Sequence, residues 1–283
     1  MLDQVLLQAT AAATPTTLNI TAADPAETLI LKSISDLSAP KITLFTGTYA
    51  GNGGYYQGRR IEQRNPVFNF KLNPDYAGDV EVSEVRRKLY RTFLNRTDQV
   101  GDGLMVVLKD SKLPDLYFIC NTEDINTDMW TREQTAQVST LALDPFLRSV
   151  LPYHWDDTPG EMQHTFEYVG DAPTGLYVQL NVVNLTTQIH IRLQKGVEQQ
   201  MITLVHPTGA FAAGSTVFVN TTELHRQVQY NGQDVMVMMS YDSDWLTLDY
   251  SEDPYTLEAW GTSYLDGKVL LSLMEYRGTW WGI

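Results

Sequence analysis

Gln188-Ile189-His190-Ile191-Arg192-Leu193-Gln194 decides the fold class. Its apolar residues fall at every second position, so they share one face of an extended strand and leave the polar residues on the other. On a helix the same residues would be scattered around the circumference. Phe68-Asn69-Phe70-Lys71-Leu72 repeats the alternation. β-branched and aromatic residues fill the neighbouring segments, so the chain reads as mainly β. Tyr230-Asn231-Gly232-Gln233 marks a hairpin, because Asn-Gly tolerates the positive φ angles of a type I′ turn; it joins strands expected at 224–230 and 234–239. One stretch follows a different period. Val82, Val85, Leu89 and Phe93 recur at three and four residues, which predicts an amphipathic helix opening near Asp79 or Ser83 and ending near Asn95. Such a helix is expected to plug one face of a sheet or the open end of a barrel.

A chain of 283 residues suggests two domains. The boundary is expected between Asp144-Pro145 and Gln163, because the stretch 151–160 contains Pro152 and Pro159 and has no clear period. Residues 1–150 are then a β-sandwich or barrel-like domain with the helix and a long hairpin, and residues 160–283 a second β-sandwich. The hairpin tip is expected at 47–60, around Gly51-Asn52-Gly53-Gly54-Tyr55-Tyr56-Gln57-Gly58. Tyr55, Tyr56, Arg59 and Arg60 are residue types that favour interfaces, and they are the candidate subunit contacts.

The net charge of -14 argues against tight binding to phosphate backbones, which requires concentrated Lys and Arg. The one basic cluster, Arg86, Arg87, Lys88, Arg91 and Arg96, reads as the solvated face of the helix. Cys120 stands alone in an apolar run and reads as a small buried hydrophobe. Leu6 and Leu7 have no basic region ahead of them, so no secretion signal is expected, and no apolar run approaches a membrane span.

Catalytic motifs find little support. Gly58 is followed by Arg59-Arg60 and a strand, where a P-loop needs Lys and a helix. His154, His164, His190, His206 and His225 lack zinc-site spacing, and no Gly-x-Ser-x-Gly elbow presents a serine. Asp242, Asp244, Asp249, Glu252 and Asp253 surround Trp245 and read as turn residues, with a sugar or calcium contact as the functional alternative. No catalytic residue, cofactor or metal is expected. Trp245 and Trp260 are the candidate glycan contacts if the chain binds sugar.

The run Val269-Leu270-Leu271-Ser272-Leu273-Met274-Glu275 reads as a buried strand, and Tyr276-Arg277-Gly278-Thr279-Trp280-Trp281-Gly282-Ile283 follows it. Two adjacent tryptophans point to opposite faces of a strand. One is expected in the core of the second domain, the other against a loop or the first domain.

The chain resembles the distal tail (Dit) proteins of long-tailed bacteriophages over nearly its whole length. The first half carries the resemblance in Gly58-Arg59-Arg60-Ile61, the strand 67–72, the helix 82–94, the strand 104–108 and Thr140-Leu141-Ala142-Leu143-Asp144-Pro145-Phe146. The second half carries it in Phe166-Glu167-Tyr168-Val169-Gly170-Asp171-Ala172-Pro173-Thr174, in Trp245-Leu246-Thr247-Leu248 and in Tyr276–Ile283. It departs after Leu248, where Asp249-Tyr250-Ser251-Glu252-Asp253-Pro254 replaces a Pro-Gly-x-Asn turn.

The resemblance implies a ring-forming N-terminal domain, usually hexameric, and a galectin-like C-terminal sandwich. It implies a homo-oligomeric ring at the distal end of the virion tail, made in the host cytoplasm, with a lumen that lets DNA pass. Its partners would be the tail tube protein, the tail-tip or hub protein, and receptor-binding or fibre proteins, with no specific nucleic-acid binding and no membrane insertion. The alternatives are a carbohydrate-binding tail-tip module and a glycan hydrolase.

Overall fold

The computed structural model describes residues 4–9, 16–18, 29–48, 54–72, 82–94, 103–128, 134–223, 225–262 and 267–283. The protein is mainly β, in several sheets, with one α-helix among the described residues. It divides into two compact units, one formed by Met1–Val150 with Trp280–Ile283, the other by Leu151–Thr279.

The first unit contains β1 (Gln4–Ala9), β2 (Thr16–Leu18), β3 (Leu29–Ile34), β4 (Ile42–Thr48), β5 (Gly54–Ile61), β6 (Val67–Leu72), helix α1 (Val82–Phe93), β7 (Leu104–Lys109), β8 (Leu116–Asp128), β9 (Thr135–Leu141) and β10 (Leu147–Ser149). One large sheet runs in the order β2-β1-β7-β8-β9-β6-β3, with β10 on β8. Its alternating residues line one core: Val5 and Leu7 from β1, Phe68 and Phe70 from β6, Val106 and Leu108 from β7, Phe118 and Cys120 from β8. Helix α1 adds Val85, Leu89 and Phe93 to that core, as its three- and four-residue spacing requires. Phe93 meets Phe68 and Phe70 edge-on, with ring centroids 5.4 and 5.6 Å away. Its carbonyl accepts a hydrogen bond from Thr122 Oγ1 at 2.7 Å, which satisfies one of the free acceptors at the helix end. Arg87, Lys88 and Arg91 lie on the exposed side of α1. Asp79, Asn95 and Arg96 fall outside the described residues.

The second unit contains β11 (Tyr153–Glu161), β12 (Gln163–Phe166), β13 (Thr174–Gly175), β14 (Tyr177–Val182), β15 (Gln188–Lys195), β16 (Glu198–Val205), β17 (Thr216–Asn220), β18 (Gln227–Tyr230), β19 (Gln233–Asp234), β20 (Thr247–Leu248), β21 (Tyr255–Thr262) and β22 (Val269–Tyr276). One sheet has the order β11-β22-β14-β17-β18-β19, another β12-β21-β15-β16, and β13 pairs with β20. Val178 and Leu180 of the first sheet and Ile189, Ile191, Leu193 and Leu257 of the second join one core, as in a sandwich.

Three local expectations change. Residues 153–161 form a strand, whose pairing with β22 shifts register between Asp156 and Glu161. The Asn-Gly turn is present, with φ of 49° at Asn231 and 78° at Gly232, but the strand after it ends at Asp234 and gives way to a short 3-10 turn at Met236–Met238. Trp280 is buried in the core of the first unit and Trp281 packs on Phe146, so the tail meets the first domain as expected of one tryptophan, but neither fills the core of the second. Strand periodicity identifies a buried face; it does not say which core receives the side chain.

Candidate functional site

Strands β4 and β5 form a two-stranded sheet of their own. An isolated two-stranded hairpin is marginally stable in water, so it gains from something to pack against. Here the apolar residues are outside. Leu44 is 60% exposed, Phe45 47% and Tyr56 61%, with Ile42 and Tyr55 also exposed. Leu44 and Phe45 are adjacent, as are Tyr55 and Tyr56, so apolar side chains lie on both faces of the ribbon. Arg59 and Arg60 are exposed beside them. Tyr55, Tyr56, Arg59 and Arg60 therefore lie together on β5, joined by Leu44 and Phe45 of β4, whose sequence has the composition of any strand. Tyr55 folds back over Gly47: a Cβ added there would sit 2.4 Å from the end of the Tyr55 ring and would push that exposed side chain aside. Residues 49–53 of the tip lie outside the described residues.

The base of this arm is firmly held. The Glu62 N–H donates to the Lys41 carbonyl at 2.9 Å, and Lys41 pairs with Glu62 at 3.6 Å. Arg64, just beyond β5, is 1% exposed. Its Nη1 donates to the carbonyls of Asp36, at 3.1 Å, and Ser38; its Nε donates to Pro145 and its Nη2 to Trp281. One guanidinium thus joins the segment before the arm, the segment after it and the last residues of the chain. Burial pulls its pKa down, while Asp36 and Asp144 oppose that shift. Phe146 packs on Trp281 with ring centroids 5.1 Å apart. An arginine between a strand and Asn65-Pro66 carries no sequence signal of this role, because its four acceptors are backbone carbonyls distributed over the chain.

The second unit presents a different surface. The outward residues of β12-β21-β15-β16 form a grid set by strand register. His190 faces Trp260 on one side and Thr203 on the other; Arg192 faces Glu258 and Met201; Gln188 faces Thr262 and Val205; Gln194 faces Thr256 and Gln199. The His190 ring stacks on the Trp260 indole at 5.1 Å with 22° between planes, and the Arg192 guanidinium carbon lies 5.6 Å from the same ring. Arg192 Nη2 is paired with Glu258. His190 bonds Thr203 Oγ1 through Nδ1 and Thr262 Oγ1 through Nε2, each at 3.1 Å. Desolvation lowers the His190 pKa, which favours the neutral imidazole.

Trp245, the other tryptophan singled out, is half-buried against the sandwich core, with Arg226 5.3 Å over its ring. Asp249, Glu252 and Asp253 beyond it are exposed; Asp249 Oδ1 accepts from the Tyr250 N–H at 2.8 Å, and the Tyr255 hydroxyl donates to the Asp249 backbone carbonyl, also at 2.8 Å. Among the described residues, no group of three or more His, Cys, Asp or Glu side chains is placed to hold a metal.

Residues 169–280 match the family model of the siphovirus-type tail component, C-terminal domain. Among solved structures, the SPP1 Dit (gp 19.1) protein, described as a paradigm of the hub adsorption apparatus in phages infecting Gram-positive bacteria, is 15% identical, with 97% of this chain and 98% of that chain covered and a TM-score of 0.66. A chain of the phage P2 baseplate in its activated conformation is 10% identical, with 98% of each chain covered, at a TM-score of 0.44, too low to carry an argument. No curated protein matches. The resemblance to the distal tail proteins therefore stands on sequence across residues 169–280 and on fold along the chain.

Proposed function

We propose, from the siphovirus-type tail component domain in residues 169–280, that this chain is a distal tail protein: a non-enzymatic part of a phage tail whose copies close into a ring, hexameric by the family's usual plan. The ring would join the tail tube to the tail tip or baseplate and leave a lumen for DNA. Residues 1–150 would build the ring and 160–283 the peripheral, galectin-like domain. Tail tube and tip or hub proteins would be its partners, with receptor-binding or fibre proteins at the periphery.

The observation that carries this reading is the β4–β5 arm. It is rooted by the hydrogen bonds of the buried Arg64, carries exposed apolar side chains on both faces and, among the described residues, pairs with no third strand. An apolar ribbon of this kind fits a neighbouring subunit, and repeated head-to-tail contact closes a ring when the rotation between copies permits. Tyr55, Tyr56, Arg59 and Arg60 would contact the neighbour, with Leu44 and Phe45.

Negative-stain images and light scattering of the purified protein at high concentration test the reading. Rings that disappear when Leu44, Phe45 and Tyr56 are all changed to Ser support it. A monomer at every concentration, together with a monomer in assembled tails, overturns it.

A further inference from the structure

A surface that combines a large aromatic ring with neutral, fixed hydrogen-bonding groups has the chemistry of a site for a polyhydroxylated ligand. A pyranose offers an apolar C–H face to the ring and a rim of hydroxyls to the polar groups. The outer face of the β12-β21-β15-β16 sheet meets this description. We infer that Trp260, with His190, Arg192 and Glu258 around it, binds a neutral saccharide on the outer face of the second unit.

Charge is the first argument. The chain carries -14 overall, yet the outward residues of this sheet include one cation, Arg192, and one anion, Glu258, and these pair with each other. A neutral ligand suits such a face better than a phosphate, a sulfated sugar or a polybasic peptide.

Preorganisation is the second. Arg192 and Glu258 fix one another, and Thr203 and Thr262 hold both nitrogens of His190. His190, with both nitrogens engaged, is a fixed wall beside the indole, and the remaining N–H groups of Arg192 and the oxygens of Glu258 are held in place before a ligand arrives, which lowers the entropy cost of binding.

Access is the third. His190 and Arg192 both belong to β15, so they approach Trp260 from that side. On its other side, β12 stops pairing with β21 at Gln163↔Glu258, two residues short of Trp260. The chain leaves the sheet there, with the Ala259 N–H bonded to the Met162 carbonyl at 3.0 Å. Among the described residues, Trp260 has no cross-strand neighbour on that side. A sugar ring can stack where the neighbouring strand is missing.

The experiment uses the full chain and an array of neutral gluco-, galacto-, manno- and N-acetylhexosamine oligosaccharides, with sialylated and sulfated ones beside them. Each array hit is titrated by heteronuclear NMR of the unmodified protein. The chain has six tryptophans, so five indole N–H signals serve as internal controls for that of Trp260. The expected result is binding of at least one neutral oligosaccharide that shifts the Trp260 signal, with affinity falling at least about tenfold in Trp260→Ala and in Glu258→Gln. If Trp260→Ala fails to fold, the wild-type shift map and Glu258→Gln decide. Four results overturn the inference: no binding up to about 10 mM, a 1 M-scale free energy below about 3 kcal/mol; binding of acidic glycans alone; binding that shifts other tryptophans and leaves Trp260 unmoved; or affinity unchanged in both variants. Light scattering on the same samples separates this result from the ring reading, which can hold or fail independently.

Discussion

The hairpins β4–β5 and β15–β16 are built from similar lengths of strand and dispose of their apolar residues in opposite ways. In β15, Ile189, Ile191 and Leu193 point to one side and are buried, and polar residues take the other side. In β4 and β5, apolar residues lie on both sides and remain exposed. A strand that belongs to a sandwich needs one apolar face, because its sheet has one core to cover. A ribbon with two apolar faces and no sheet to join is suited to being covered by another molecule. The contrast separates residues that hold the chain together from residues available to hold copies together.

Loss of Trp280–Ile283 should have the largest effect, and it tests which core the tail serves. Truncation removes a buried Trp, typically costing about 3–5 kcal/mol, and one of the four carbonyl partners of Arg64. Hydrogen exchange followed by segment should show faster exchange in β1, β6 and β7 while β14, β15 and β17 keep their protection. Equal loss in both units would mean that the two cores do not unfold separately.

A paired substitution probes the hairpins directly. Ile191→Ala should cost about 2–5 kcal/mol in denaturant unfolding, as for other buried aliphatic residues. Leu44→Ala should change monomer stability by no more than about 0.5 kcal/mol, the range of exposed positions, while weakening self-association in sedimentation velocity. Comparable loss of stability in both variants would place the arm in a core of its own protomer and break the comparison.

Much of this arrangement was legible in the sequence because it depends on local period. The alternation of residues 188–194 and 68–72, the helix spacing at Val85, Leu89 and Phe93, and the Asn231-Gly232 turn each state a backbone geometry that nearby residues enforce. What was not legible depends on distant chain. Whether Trp280 fills one core or the other is decided by partners over a hundred residues away. The Arg64 hydrogen bonds end on carbonyls, which every residue possesses. Trp260 was recognisable as a possible contact, but its neighbours His190, Arg192 and Glu258 come together only through the register of β15 with β21. The exposed side chains of β4 had the composition of an ordinary strand; only the isolation of the ribbon gives them meaning.

Alkaline pH should sharpen the separation of the two cores. Burial pushes the Cys120 thiol of the first unit from 9.0 up to about 12, against a hydrogen bond with Thr140 that lowers it. In the second unit, burial pushes the Tyr276 phenol from 10.0 up to about 12, against the Val169 N–H, which lowers it; Tyr168, whose hydroxyl donates to the Ala172 carbonyl, is shifted the same way. Both folded-state values are raised, so the folded protein holds protons that the unfolded chain releases. The stability linked to each group is complete below its unfolded pKa and is lost as pH rises through the folded one. The first unit should begin to weaken near pH 9 and the second near pH 10, each continuing towards pH 12. Denaturant midpoints measured across this range by segment-specific fluorescence should fall in that order. Cys120→Ala should flatten the early part of the first unit's curve and leave the second unit's unchanged. If instead the substitution shifts both curves together, the units unfold as one, and the burial of Cys120 cannot be read as a property of the first core alone.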